Sequence, residues 1–207
     1  MSRSIDDEFD WESREYSTTE LVDGFPCLDV VNYDYETGYR KHLIEYLRHF
    51  GWDVTTEVTD VNHNGQVDIV AEHPSVGCIA FEVKRTPGNQ GGPLGEGIAQ
   101  LLNYRSYTYE DFDIDFWVLA PGFDVYTEGG ETRMWGNRRM RMNLIIILAE
   151  LQLGLFPRSW RRIVFGKWGV ESIRLRDPKR LGQSVRQPIA ESLRDRTLNT
   201  GEYEPEE

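Results

Sequence analysis

Between Asp68 and Tyr104 the chain sets out five groups in order: Asp68 in one alternating run, Glu82-Val83-Lys84 in the next, and Gln100-x-x-x-Tyr104 after a glycine-rich stretch. Two carboxylates, an ammonium, a carboxamide and a phenol can build a metal-dependent phosphodiesterase site. Magnesium takes a few carboxylate oxygens, keeps several waters and leaves room for a substrate phosphate. Asp68 and Glu82 would be its ligands, with the backbone carbonyl of Val83 as a third. A metal held there lowers the pKa of a bound water and offsets charge on a phosphate. Lys84 can position or deprotonate the attacking water, or stabilise developing negative charge. Gln100 can orient the water or a phosphate, and Tyr104 can stack or donate.

The elements that must position these groups are legible from periodicity. Residues 66–72 alternate, with Val67, Ile69 and Ala71 on one face, and residues 78–84 alternate, with Ile79, Phe81 and Val83 on one face. Period two predicts two half-buried strands. The segment His73-Pro74-Ser75-Val76-Gly77 between them is a turn signal. In an antiparallel hairpin centred on Ser75, paired residue numbers sum to 150, which sets Asp68 opposite Glu82. Opposed side chains have Cβ atoms ~5 Å apart. Lys84 lies two residues on, on the same face. Taken alone, this hairpin is equally an ordinary cross-strand ion pair on a solvated face.

Two flanking elements add to it. The spacing predicts a helix over 36–52, with Tyr39, Leu43, Leu47 and Phe50 on one stripe, Asp34 as N-cap and Gly51 as the stop. Glu36 falls in line with Leu43 and Phe50, an acid on the buried stripe, whereas Glu45 faces away. A first-turn Glu can also simply favour the helix dipole. Downstream, 88–97 reads as a glycine-rich loop and 98–107 as a helix that carries Gln100 and Tyr104 on one face.

The ordered set Glu36, Asp68, Glu82-Val83-Lys84 and Gln100-x-x-x-Tyr104 resembles the PD-(D/E)xK nuclease superfamily over about residues 34–120. This is the restriction-endonuclease-like fold, shared by archaeal Holliday junction resolvases and RecB-like nucleases. The Gly65-x-x-Asp68 spacing and the Gln-x-x-x-Tyr helix look most like the RecB-like branch. The resemblance implies a central mixed β-sheet flanked by helices, Mg²⁺ or Mn²⁺ dependence and DNA as the usual substrate. It carries over Glu36, Asp68, Glu82, Lys84 and Gln100 as site residues, with Glu36 reaching the metal through water. Val67 stands where the family name has proline. Relatives with an iron–sulfur cluster need four cysteines; this chain has two, Cys27 and Cys78. Many relatives act as homodimers, because cutting two strands favours two sites.

A second metal motif is weaker. Asp60-x-Asn62-x-Asn64-Gly65 copies the opening of a calcium-binding EF-hand loop, but its twelfth position is Ala71 instead of Glu, and a strand follows instead of a helix. Asn and Gly fit a tight turn between strands.

Composition sets the surroundings. The 207 residues carry a net charge of −12, and of 23 basic residues 19 are Arg. An acid-rich, Lys-poor chain resembles proteins of halophilic archaea that keep salt in the cell. Two distant cysteines and an acidic amino end fit a reducing cytoplasm, here a high-salt one. The apolar run 144–156 is too short to span a bilayer, so no membrane partner is expected. Residues 1–24 read as a flexible acidic arm, 25–182 as the folded domain and 183–207 as a flexible polar, acidic tail. Between 132 and 168 the balance reverses. Arg138, Arg139, Arg141, Arg161 and Arg162 stand among Arg133, Arg158 and Lys167, interleaved with Trp135, Trp160 and Trp168. Arg clusters bind phosphates and aromatics stack on bases, so this segment and Tyr104 form a candidate DNA-binding surface. The alternative is that the Trp residues are core and the Arg residues a solvated face. Further strands are expected over 53–59, 113–120, 162–165 and 170–175, the last two as sheet edges, with a helix over 142–153 stopped by Gly154. Strands interleaved with helices argue for the α/β class. The expected function is DNA phosphodiester hydrolysis, and the alternative is a catalytically inactive DNA-binding or assembly module on the same fold.

Overall fold

A computed structural model describes residues 15–18, 21–28, 36–84, 92–121, 125–128, 131–134, 144, 146–156, 162–165 and 171–181. A hairpin, β1 (Leu21–Val22) and β2 (Phe25–Pro26), precedes helix α1 (Glu36–His49). Three antiparallel strands follow: β3 (Asp53–Thr59), β4 (Gln66–His73) and β5 (Gly77–Lys84). Helix α2 (Gly92–Tyr104) leads to β6 (Phe116–Pro121), and β7 (Val125–Glu128) pairs with β8 (Glu131–Met134). Helical residues 146–150 are followed by β9 (Gly154–Leu155), β10 (Arg162–Phe165), β11 (Glu171–Arg174) and β12 (Lys179–Leu181). Eight strands make one sheet in the order β12-β11-β10-β9-β6-β5-β4-β3. The sheet is mixed, with β6 parallel to both β5 and β9. This is an α/β fold with helices on both faces of its sheet, as the sequence pattern leads one to expect.

The helices pack where their apolar stripes require. Tyr39, Leu43, Tyr46 and Leu47 of α1 join Ile69, Ala71, Ile79, Phe81, Val83, Val118 and Phe156 in one cluster. Leu94 and Leu101 of α2 join Val70, Ala80, Trp117, Leu119 and Leu148 in the other. Both faces of β5 and β6 are therefore covered, and β6 is buried along its whole length. The expectation of half-buried strands is corrected accordingly: covered central strands read as near-continuous apolar runs. The first helix stops as Gly51 leads one to expect. The Gly51 amide donates to Arg48 O at 3.0 Å, the Trp52 amide to Leu47 O at 3.1 Å, and Gly51 has φ 82°. These two bonds are the Schellman pattern, which a left-handed residue closes.

Several expected boundaries move. The glycine-rich stretch does not all loop: Gly92, Gly95 and Gly97 lie in α2. Packing overrides propensity at Gly97, where a Cβ would come within 2.7 Å of Leu119 Cδ1 and 2.9 Å of Lys84 Cγ. Strand β6 begins at Phe116, because Asp115 makes the turn before it by accepting the Cys78 amide at 3.1 Å. Strands β10 and β11 are interior, and β3 and β12 are the edges. Gly154 begins β9 and does not stop the preceding helix. A Cβ on it would lie 2.7 Å from Phe165 Cε1, so its small size serves close strand packing. The residue that closes the helix is Gln152, at φ 57°, with its amide donating to Ala149 O at 3.0 Å and the Leu153 amide to Leu148 O at 2.8 Å. Asp23 and Gly24 close the β1–β2 hairpin, so residues 21–24 of the expected arm are folded. Residues 1–14 and 182–207 lie outside the described residues. Among the described residues no helix is long and apolar enough to cross a membrane.

Gln152 bears the strain that Gly51 avoids, and its side chain is exposed. Gln152→Gly is expected to raise stability by roughly 0.5–1 kcal/mol, the cost of a left-handed non-glycine residue less the extra freedom of glycine in the unfolded chain. Urea unfolding checks this through a higher midpoint at unchanged slope; a lower midpoint would refute the capping argument.

Candidate active site

The β4–β5 register supplies the first part of the site. Ile69 pairs with Phe81, Val70 with Ala80 and His73 with Gly77, so paired numbers sum to 150 as expected. One step beyond Ile69–Phe81 the ladder gives way. There Asp68 Oδ2 accepts the Val83 amide at 2.8 Å, a side chain taking the place of a ladder carbonyl. Asp68 and Glu82 thus meet at the end of the hairpin, at the carboxyl end of β5. Glu82 Oε1 is 2.7 Å from Lys84 Nζ, and Glu82 is buried. Its second oxygen, Oε2, is buried and has no hydrogen-bond partner among the described residues.

The helix α2 closes the site from above. Gly97 lets it lie directly on Lys84 and Leu119. That contact carries Gln100 and Tyr104, one and two turns on, over the carboxylates. Gln100 Nε2 donates to Tyr104 OH at 3.5 Å, and Gln100 Oε1 is buried without a partner among the described residues. The Tyr104 ring rests on the β3–β4 turn, where a Cβ on Gly65 would sit 2.8 Å from Tyr104 Cδ1 and 2.7 Å from Tyr107 Cε2. That turn is organised by Asp60, whose carboxylate accepts the amides of Asn62 at 3.1 Å, Asn64 at 2.6 Å and Gly65 at 2.8 Å. Burial raises the Asp60 carboxyl, but these amides outweigh it and hold its pKa below the ordinary value. Both oxygens of Asp60 serve the backbone turn, in line with the turn reading of 60–65.

Electrostatics tie the groups together. Burial pushes the Glu82 carboxyl up to about 7, the Asp68 charge pushes it further the same way, and Lys84 pulls it down. Burial alone would lower Lys84, but Glu82, Glu36 and Asp68 outweigh it and raise its pKa, so the ammonium is kept. Burial and the charges of Glu82 and Asp68 raise the Tyr104 phenol. Glu36, in the first turn of α1, is near enough for its charge to bear on both Glu82 and Lys84. Glu36, Asp68, Glu82, Lys84, Gln100 and Tyr104 are therefore gathered in one place.

Two members of the site carry no signal in the motif. Arg40, one turn along α1 from Glu36, donates from Nη1 to Asp68 Oδ1 at 3.2 Å and from Nη2 to Glu57 Oε1 at 3.4 Å. Glu57 of β3 has φ 56°. Periodicity places Arg40 at the margin of the apolar stripe, about 20° from Leu47, where the motif assigns it no role, and nothing in the strand pattern marks a left-handed Glu. Of the expected DNA-binding arginines, Arg162 lies in β10 with its side chain exposed. Arg138, Arg139, Arg141 and Arg161, with Trp135, Trp160 and Trp168, lie outside the described residues.

Among the described residues no group of three or more His, Cys, Asp or Glu side chains is set to hold a metal ion. Two carboxylates suffice for a magnesium-type ion, which completes its shell with water. The orphaned Glu82 Oε2, with Asp68 beside it, supplies hard oxygens of the right kind, and the carbonyl of Val83 is adjacent in sequence. The residues present fit such an ion. Beyond it, the site offers an ammonium at Lys84 and an unpaired amide oxygen at Gln100, which together can hold a water molecule.

The raised Glu82 pKa makes stability depend on pH. A carboxyl at about 7 when folded, against an ordinary 4.5, holds its proton in the folded chain while the unfolded chain has lost it. Stability of the metal-free protein should therefore fall as pH rises between these two values, by up to roughly 3 kcal/mol at about 1.4 kcal/mol per pH unit. Glu82→Gln is expected to flatten that slope. Urea unfolding in chelator from pH 4.5 to 8 measures both, and identical slopes in the two proteins would refute the assignment.

No protein-family model matches this chain, and neither a curated protein nor a solved structure matches it.

Proposed function

We propose that the chain is a metal-dependent nuclease that hydrolyses DNA phosphodiester bonds, on a restriction-endonuclease-like core and with Mg²⁺ or Mn²⁺ as its cofactor. The observation that carries this reading is a pair of buried acceptors without donors, Glu82 Oε2 and Gln100 Oε1, in a site that also holds Asp68 and a largely buried Lys84–Glu82 pair. A buried polar atom left unpaired costs about 1–3 kcal/mol. Two such atoms beside a carboxylate pair fit a place kept for a cation and its water. Asp68 and Glu82 hold the metal in this reading, with the Val83 carbonyl as a third donor and Glu36 reaching it through water. The ion supplies Lewis-acid stabilisation of the phosphate and acidifies the attacking water.

The chain's own residues supply the rest. In this reading Lys84 acts as a charge stabiliser, or positions or deprotonates the attacking water. Gln100 Oε1 accepts a hydrogen bond from that water and fixes its direction. Tyr104 lies at the lip of the site on Gly65, positioned to stack on a sugar or base. The strand of β5 holds Glu82 and Lys84 rigidly, two residues apart on one face. Positioning of this kind is worth several kcal/mol in phosphoryl chemistry. The second reading, a catalytically inactive DNA-binding or assembly module, keeps the fold but has no use for the two orphaned oxygens.

Purified protein with labelled single-stranded, duplex and branched DNA, in molar KCl with Mg²⁺ or Mn²⁺, is expected to cut at least one substrate. Lys84→Ala should lower the rate by about 10²–10³-fold, as loss of one charge-stabilising donor does. Cleavage that persists undiminished in Lys84→Ala would remove this site from the reaction, and no cleavage by folded protein would favour the binding module.

The basic segment 132–168 is the proposed DNA grip. Replacing Arg138 and Arg139 together by Ala should weaken DNA binding and make its salt slope shallower by about two, one for each phosphate left without its arginine. Unchanged binding by fluorescence anisotropy would place the grip elsewhere.

A further inference from the structure

Strand β3 breaks its pairing at one point. Thr56 pairs with Ile69 and Val58 with Val67, but Glu57 and Asp68, which fall between them, do not pair. Glu57 is at φ 56°, and its carbonyl accepts Gln66 Nε2 at 3.3 Å. A left-handed glutamate inside a strand costs on the order of 1 kcal/mol or more, and such outliers persist where surrounding structure enforces them. The twist also changes sides: Val54, Ile69 and Ala71 pack with α1, whereas Val58 and Val67 pack with α2. Simple alternation puts Val67 on the face of Ile69 and Ala71, and the break at Glu57 is the reason it packs on the other.

The break frees the backbone around Asp68 and presents its carboxylate to Arg40. The guanidinium bridges Asp68 Oδ1 at 3.2 Å and Glu57 Oε1 at 3.4 Å. Both are single, long contacts, not the short, two-pronged pair of a structural Arg–carboxylate bridge. Arg40 is partly exposed, and Glu57 more so. Around it stand Glu36, Glu57, Asp68 and Glu82 against Lys84 and Arg40. Lys84 is committed to Glu82. Among the described residues Arg40 is the other cation here, and it rests on a proposed metal ligand.

We propose that Arg40 is a substrate-phosphate-binding residue held in reserve on Asp68, released when a divalent cation takes Asp68, and kept beside the site by Glu57. The inference rests on the nuclease reading and deepens it. A cation at Asp68 competes directly with the Arg40 contact, because both need the same carboxylate. Displaced from Asp68, Arg40 retains Glu57 as a partner and stays next to the phosphate that the cation attracts. Arg is suited to that second role, with a planar fork of donors that matches a phosphate.

The test has two readouts. Calorimetric titration with Mn²⁺ and no DNA measures the competition. Arg40→Gln is expected to bind Mn²⁺ roughly two- to five-fold tighter, the range that partly exposed ion pairs are worth. Fluorescence anisotropy with uncleaved DNA in Mn²⁺, on a Lys84→Ala background, measures the second role. There Arg40→Gln should weaken binding about tenfold or more, as loss of a charge-assisted phosphate contact does. Glu57→Gln should move the first readout the other way, toward weaker Mn²⁺ binding, with its fold verified by circular dichroism. Unchanged Mn²⁺ affinity in Arg40→Gln overturns the inference, and so does tighter Mn²⁺ binding with undiminished DNA binding. Failure of the unaltered chain to bind Mn²⁺ at all would instead overturn the nuclease reading on which the inference stands.

Discussion

The buried pair of Glu82 and Lys84 is the constraint from which the rest of the site follows. Removing two charges from water costs several kcal/mol per ion, and their attraction compensates only when the remaining polar atoms are also satisfied. Here one oxygen of Glu82 is not satisfied. A fold that served stability alone would place apolar residues at this end of β5, between clusters that are otherwise apolar on both faces of the sheet. Glu82 is instead held partly protonated around neutrality, with a pKa of about 7. A carboxyl in that condition lowers its energy by binding a cation.

Everything packed around the pair limits where it can point. Gly97 lets α2 approach Lys84 closely, and that approach brings Gln100 and Tyr104 to the site. The amide of Val83 holds Asp68 in place through 2.8 Å. Further out, the Asp60 carboxylate takes three amides of the β3–β4 turn, which fixes the Gly65 backbone beneath Tyr104. At the opposite end of the hairpin, Trp52 Nε1 donates to Leu175 O at 2.8 Å and its ring lies against His73. One end of β4 and β5 is thus fastened by packing and the other is left with open valences. Polar groups that lack partners while their supports are rigid are the preorganised condition that electrostatic catalysis requires.

Much of this was legible in the sequence, for reasons that belong to particular residues. The turn at 73–77 is short, so the register could be counted from Ser75, and it holds as far as Ile69 and Phe81, one step short of Asp68 and Glu82. Alternation marked the strands, and Gly51 marked the end of α1. What was hidden depends on contacts distant in sequence. Gly92, Gly95 and Gly97 read as a loop because helix propensity counts against glycine, and only the nearness of Lys84 and Leu119 explains why the helix includes Gly97. Gln152 looks like any helical residue until its φ of 57° is known. Arg40 sits at the margin of the amphipathic stripe, where a solvated arginine is the ordinary reading, and its link to Asp68 spans 28 residues. Glu57 is a strand residue in an alternating run, so its reversed φ has no local signature.

The acidity of the chain bears on how such a site would meet DNA. A net charge of −12 repels a polyanion at low salt. In molar salt the Debye length falls to about 3 Å, so long-range repulsion and long-range attraction both vanish. Steering by a basic surface then contributes little, and counterion release, which usually drives DNA binding, is weakened as well. The contacts that survive are those made at hydrogen-bond distance and shielded from solvent. On the proposed reading, a cation between Asp68, Glu82 and a phosphate would be one. The Lys84 ammonium, already largely buried, would be another. A DNA-binding chain of this composition would therefore gain most from concentrating its phosphate contacts inside the site, where screening is least, which is where Arg40 and Lys84 both lie.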